Sequence, residues 1–235
     1  MDLAPGYREF APPPALAALV ECLWVRTCAD EDQVLIMPDG ASDVIWRQGS
    51  GTMIVGPDTT ARAYSREAGE LLIGLRFRPG AGGGGIGVPL HALCDQQVDA
   101  RDVARAFDLD GDLPPAAVFR ELLTAAAERR PDPIVVAAAP HVADRGAAAL
   151  ARELAISERQ LRRRFHAAVG YGPGTLARVL RFRRFLGLVD DGRDDLAGVA
   201  FDAGYADQAH LTRESRRLAG ISPRELVAAR RTASV

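Results

Sequence analysis

Two stretches in the last third of the chain read as one unit used twice: a short apolar helix, a tight turn, then a helix rich in arginine. The first runs from Ala147 to Phe165 and the second from Leu196 to Arg213. Such a repeat admits few packings. Each helix buries one apolar stripe and leaves its charged face outside. Paired units of this kind can place two helices in neighbouring segments of the DNA major groove.

The net charge of −2 over 235 residues argues against a polyanionic partner only on average. Residues 1–140 hold 12 arginines against 20 acids, a charge of −8, whereas residues 141–235 hold 17 arginines against 11 acids, a charge of +6. That asymmetry is expected where one half alone meets phosphate. The chain has no lysine, so every such contact falls to arginine, whose planar fork suits guanine edges and phosphates. Cys22, Cys28 and Cys94 follow no metal-ligand spacing, which fits a reduced, cytoplasmic setting. The start, Met-Asp-Leu-Ala-Pro-Gly, lacks the basic and apolar regions of a leader. No apolar run is read as approaching the ~20 residues of a membrane helix, so no membrane partner is expected.

Punctuation along the chain predicts an α+β protein. Residues 11–14 (Ala-Pro-Pro-Pro) suggest a turn or polyproline element, followed by a short helix over 15–20. Strand-like runs at 22–26, 33–37, 43–46, 52–55 and 70–77 are separated by turn residues at 38–40, 48–51 and 56–58. They suggest a small β-sandwich or barrel. Glycines at 82–85 suggest a weak helix or a mobile loop, and further helices are expected over 103–107 and 116–129. Pro131 and Pro133 mark the boundary between domains 1–130 and 131–235, the second all-helical.

Within the first unit, Ser157 and Gln160 form a capping box. Leu161, Phe165, Ala168 and Val169 share the core face, and Arg159, Arg162, Arg163 and His166 the opposite one. In the second, Leu196, Val199 and Ala200 face inward, Gly204 supplies a left-handed turn, and Asp207 caps the next helix. Gln208, His210, Thr212, Arg213, Arg216 and Arg217 form its polar surface. Residues 175–189 make a helix that fixes the distance between the units.

The segment 135–228 resembles the AraC/XylS family of transcription regulators. The resemblance rests on Leu150–Ala151 through Ser157, Leu161, Phe165 and Gly170, on Arg181, and on Val199–Ala200 and Ala203–Tyr205. It continues through Asp207–Gln208, His210–Leu211 and Arg213 to Gly220–Pro223. It implies promoter DNA as partner, base contacts by Arg159, Arg162, Arg163, Gln208, His210 and Arg213, and phosphate contacts by Arg164, Thr212, Arg216 and Arg217. RNA polymerase would be a further partner of an activator. Two departures stand out: Ser215 replaces an aromatic residue and Glu214 an apolar one. The expected result is a loosely packed second unit, or one repacked with Phe201 and Leu218.

Ile36–Gly40, Asp43–Trp46 and Gly74–Gly80 resemble the cupin-like N-terminal domain of some of these regulators, which implies a sensor or a dimerisation module. A ligand pocket there would draw on Trp46 and Arg76. Alternation turns Arg76 away from Leu75 and Phe77, where it meets either an anionic effector or a neighbouring Asp or Glu. The glycine run lacks the endings of a phosphate loop or a dinucleotide helix. The rival reading, a metal-dependent cupin enzyme, needs clustered histidines. The four histidines are His91, His141, His166 and His210, none in the strand-rich stretch 21–78. Neither catalytic residues nor a cofactor or metal are therefore expected. A third reading makes the first half a homodimerisation module without a ligand.

Overall fold

The computed structural model describes residues 5–233. Residues 1–4, most of the stretch read as lacking a leader, lie outside the described residues. The first half is an antiparallel six-stranded sheet, ordered β1-β2-β7-β4-β5-β8, with a two-stranded β3–β6 ribbon beside it. Its strands are β1 (Gly6–Phe10), β2 (Val20–Thr27), β3 (Asp32–Ile36), β4 (Ser42–Arg47), β5 (Gly51–Val55), β6 (Arg62–Arg66), β7 (Leu71–Phe77) and β8 (Gln97–Asp99).

Alternation divides the sheet into two faces. Val44, Trp46, Ile73, Leu75 and Phe77 join Phe107, Val118 and Leu122 in one buried cluster, roofed by α3 (Pro115–Ala127). Cys22, Trp24 and Leu72 form a smaller cluster with Ile45 and with Tyr64 of the ribbon. Trp24 lies flat over Gly74, where a Cβ would fall 2.0 Å from the indole. A glycine in the middle of a central strand is there because a ring occupies its side-chain space.

Three strands differ from the sequence expectation. β1 precedes the proline run, only Pro14–Leu16 makes a helical turn, and Val20 already belongs to β2. β6 (Arg-Ala-Tyr-Ser-Arg) and β8 carry too few apolar side chains to show alternation. The glycine run takes the helical alternative, forming the short helix α1 (Gly82–Ile86). It is wedged on every side: a Cβ would fall 2.5 Å from the Phe77 ring at Gly85, 2.4 Å from Pro131 at Gly84, and 2.3 Å from the Ala167 carbonyl oxygen at Gly83. Glycine is used here for close approach, not for mobility.

Past α2 (Ala100–Val103) and α3, the chain is helical: α4 (Pro133–Ala138), α5 (Val142–Glu153), α6 (Glu158–Val169), α7 (Pro173–Asp190), α8 (Leu196–Asp202), α9 (Gln208–Ala219) and α10 (Pro223–Ala233). Leu161, Phe165, Leu176, Val179, Phe182, Phe185, Val199 and Leu211 centre their shared core. Contrary to the sequence expectation, Pro133–Glu153 is long and apolar enough to span a membrane by length and composition, at a mean hydropathy of 1.2. Its prolines and scattered charges hide this in the sequence. The stretch bends at Gly146 (φ 74°) and contributes Val135, Ala138, Ala139, Val142, Leu150 and Ala151 to the core.

Candidate nucleic-acid interface

The bend at Gly146 starts the first unit, so its leading helix is Ala147–Glu153. Ala155 then takes the left-handed conformation (φ 51°), and the Ile156 N–H reaches back to the Ala151 carbonyl at 3.0 Å. Ser157 caps α6 with the capping box complete: its hydroxyl accepts from the Gln160 N–H, and the Gln160 side chain accepts from the Ser157 N–H. Leu161, Phe165, Ala168 and Val169 are buried, while Arg159, Arg162 and Arg163 are exposed and His166 is half-buried.

The second unit repeats this construction. Gly204 is left-handed (φ 88°), and the Tyr205 N–H reaches the Ala200 carbonyl at 2.9 Å. Asp207 caps α9 by accepting from the His210 N–H at 2.6 Å. Arg213, Arg216 and Arg217 are exposed, as are Gln208 and Ala209, and Thr212 is half-buried. Thr212 spends its hydroxyl on the Gln208 carbonyl at 2.8 Å. His210 is half-buried, and its ring meets Tyr205 edge-on at 5.2 Å.

Ser215 stands where an aromatic residue was expected. Ser215 is fully buried and donates to the Ile221 carbonyl at 2.7 Å, so a small polar side chain closes the end of α9. Leu218 is buried, but Phe201, expected to help, is 78% exposed on α8. Glu214 turns inward to face Arg178 of α7 at 3.8 Å.

α7 ties the units together. Arg181 donates to the Ala143 carbonyl at 3.2 Å and packs its stem beside Gly204, where a Cβ would lie 3.3 Å from it. Other arginines are spent inside the molecule. Arg164, expected at a phosphate, pairs with Asp132 at 2.6 Å, Arg184 pairs with Asp144, and Arg183 pairs with Glu21 of β2. Arg159, Arg162, Arg163, Arg213 and Arg217 enter no ion pair with another described residue. Arg216 lies near Glu225 and helps hold that carboxyl below its usual range, after the hydrogen bonds from Ser222.

Trp46 and Arg76 do not share a pocket. Trp46 is fully buried among the helices of the first half and donates to the Asp110 carbonyl at 2.8 Å. Arg76 stands on the opposite face, beside Asp43 at 3.2 Å and Asp39 at 3.7 Å. The Asp43 carboxylate keeps that guanidinium charged. Asp43 also accepts from the Trp24 indole at 2.9 Å, so the space an anionic effector would take is filled by the chain's own carboxylate. Among the described residues, no cluster of His, Cys, Asp and Glu could hold a metal ion. A larger opening lies between the halves: a cleft of about 450 Å³ whose lining includes Glu21, Arg78, Pro79, Pro140, Leu180 and Arg183. No short motif points to it, because its walls come from two distant stretches of the chain.

Residues 150–229 match the helix-turn-helix domain family, and residues 8–99 match a domain of unknown function, DUF6597. None of the curated proteins matches the chain. Among solved structures, apo ToxT (a point variant) from Vibrio cholerae strain SCE256 is similar at 11% identity and a TM-score of 0.47, over 88% of this chain and 96% of that one. ToxT from Vibrio cholerae O395 bound to (E)-4-(8-methylnaphthalen-1-yl)but-3-enoic acid is similar at 10% identity and a TM-score of 0.47, over 88% and 97%. Wild-type ToxT of strain SCE256 bound to an unsaturated fatty acid gives 10% and 0.44, over 86% and 93%. Residues 150–229, with their capped and turn-linked helix pairs, thus form a helix-turn-helix domain of the AraC type, and residues 8–99 form a domain of unknown function.

Proposed function

We propose that the chain reads promoter DNA with α6 and α9 in two consecutive major-groove segments, about 34 Å apart along an unbent duplex. The observation that carries this reading is the unpaired state of the outward arginines. Arg159, Arg162 and Arg163 on α6, and Arg213 on α9, are exposed and enter no ion pair among the described residues, while most arginines nearer the core are neutralised. Guanidiniums left unpaired at the surface are the groups available to guanine edges and phosphates. Gln208 would read adenine beside Arg213, Arg216 and Arg217 would meet phosphates, and Thr212 would do so by turning its hydroxyl from the Gln208 carbonyl. His210 would act through Tyr205 as a support for α9. Residues 1–130 and 131–235 are the working halves in this reading, which places the protein in the cytoplasm. An activator would also touch RNA polymerase, and a palindromic site would require a homodimer.

The test is selection of duplexes from a random-sequence pool, followed by a salt titration on the recovered site. A bipartite site whose binding weakens steeply with salt supports the reading, with each phosphate contact adding about 0.9 to the log–log slope. Recovery of no sequence preference overturns it.

A second reading concerns control. The cleft between the halves joins apolar walls to Arg78, which enters no ion pair with another described residue and would meet a small anionic effector beside the Glu21–Arg183 pair. A ligand bound there would touch both halves and alter their fit. Thermal shift in the presence of carboxylate-bearing small molecules tests it, since a ligand held by the native state raises the midpoint in proportion to ln(1 + [L]/Kd).

A further inference from the structure

One segment of the N-terminal half touches the C-terminal ends of both arginine helices. Residues 56–61 connect β5 to β6. The Pro57 ring occupies the space beside Gly170, the left-handed cap of α6, within 2.6 Å of where a Cβ would stand. Four residues later, the Ala61 N–H donates to the Leu218 carbonyl at 2.6 Å. That carbonyl is among the last four of α9, which the helix itself leaves without a partner. Four residues reach at most about 14 Å, so the ends of α6 and α9 cannot part without breaking one of these contacts.

The segment is itself held. The Gly56 N–H donates to the Gln96 carbonyl at 3.0 Å, and the Asp95 N–H to the Pro57 carbonyl at 3.2 Å. The Asp95 carboxylate accepts from the Thr59 N–H at 2.6 Å and from the Thr59 hydroxyl at 2.7 Å. Gly56 runs so close to Leu93 that a Cβ would fall 1.8 Å from its carbonyl oxygen. Asp95 adopts a left-handed backbone (φ 58°), a conformation that persists where surrounding bonds hold it.

We infer that residues 56–61, clamped by Asp95, brace α6 against α9 and so set which spacing of DNA half-sites the chain accepts. The inference rests on the DNA reading proposed above. α7 joins the units through a turn at each end and through their shared core. Residues 56–61 add a second tie at the C-terminal ends of α6 and α9. Asp95 is thus a positioning residue for specificity, although it lies in the half that carries no reading helix.

The experiment uses the whole chain and duplexes recovered by the wild type from a random pool, resynthesised with one base pair inserted or deleted between the half-sites. Two linked modules bind tightly only when both engage at once, so the wild type should lose about tenfold or more on either change. Asp95→Gly removes both acceptors while suiting the left-handed backbone. It should bind the three spacings within about threefold of one another, with binding to a single half-site unchanged. Asp95→Asn, which keeps an acceptor for the Thr59 N–H, should restore most of the preference. Thr59→Val carries the same expectation in weaker form and supplies the answer if Asp95→Gly does not fold. A folded Asp95→Gly chain with the wild-type spacing profile overturns the brace and leaves the DNA reading standing. Failure of the wild type to recover a bipartite site overturns the DNA reading itself.

Discussion

Ala155 and Gly204 hold the same place in the two helix-turn-helix units: each is left-handed, and each is followed by an N–H that reaches back five residues to an alanine carbonyl. The correspondence runs on. Gly170 and Gly220 are the left-handed caps of α6 and α9, and Pro173 and Pro223 each begin the next helix three residues later. One backbone plan is therefore used twice, with glycine filling the left-handed turn in one copy and alanine in the other.

Ala155 carries strain that Gly204 does not. A left-handed alanine costs roughly 1–2 kcal/mol, and glycine returns about 0.4–1 kcal/mol of that through the greater freedom of the unfolded chain. Ala155→Gly should therefore stabilise the protein by about 0.5–1 kcal/mol, a rise in Tm of roughly 1–4 °C. Gly204→Ala should do the reverse. Thermal unfolding of both variants checks the pair, and an unchanged or lower Tm for Ala155→Gly would show the turn to be unstrained.

Ser215 makes a second stability prediction. Removing its hydroxyl leaves the Ile221 carbonyl without that donor in a buried setting, at a cost of about 1–3 kcal/mol. Ser215→Ala is checked by urea unfolding, where the midpoint should fall with the slope unchanged.

What the sequence made legible was local. The capping box of Ser157 and Gln160, the cap at Asp207, the turn at Gly204 and the core face of α6 are each decided within four or five residues. Relations between distant segments were not legible. Trp46 and Arg76 fall on opposite faces because β4 and β7 pair in one register, Trp46 with Ile73 and Asp43 with Arg76. Arg164 pairs with Asp132 because the start of α4 folds beside α6. The His210 ring meets Tyr205 because the turn before α9 brings the two together. The glycine run meant little until the backbones of Ala167 and Pro131 were found pressed against it.

Two glycines in helices should respond in opposite ways to the same substitution. Alanine is favoured over glycine inside a helix by about 0.8–1 kcal/mol. Gly187 of α7 has nothing within 4 Å of its Cβ position, so Gly187→Ala should gain roughly that amount. Gly83 of α1 faces the backbone of α6, with the Ala167 oxygen at 2.3 Å and the Ala168 Cα at 2.8 Å. Backbone cannot swing aside, so Gly83→Ala should cost about 1–3 kcal/mol despite the better propensity. Hydrogen exchange should then show α6 less protected, and equal protection in both chains would mean that α1 does not hold it.

Stability should also fall on the alkaline side. Burial pushes the Cys22 and Cys94 thiols up to about 11, with nearby carboxylates adding to the shift. Between the ordinary thiol range and that value the folded chain holds protons that the unfolded chain has released, so ∂ΔG/∂pH is negative. The Tm should decline from pH 9 to pH 11, and replacing both residues with alanine should flatten that part of the profile. Consistently, Cys94 should react slowly with iodoacetamide at pH 8, because only the thiolate attacks.

Arg163 and Arg216 separate base reading from phosphate binding. A bidentate contact to guanine contributes about 1–3 kcal/mol of discrimination, and losing it relaxes preference at one base pair. Arg163→Ala should therefore weaken binding to the recovered site while sparing random duplex. Arg216→Ala should weaken both alike and lower the salt slope by about 1. Arg163 sits on the face of α6 opposite Phe165 and Leu161, and Arg216 lies one turn from the end of α9, near Glu225. If Arg163→Ala instead loses equally on both duplexes, that residue holds a phosphate, and the reading of the first half-site passes to Arg159 and Arg162.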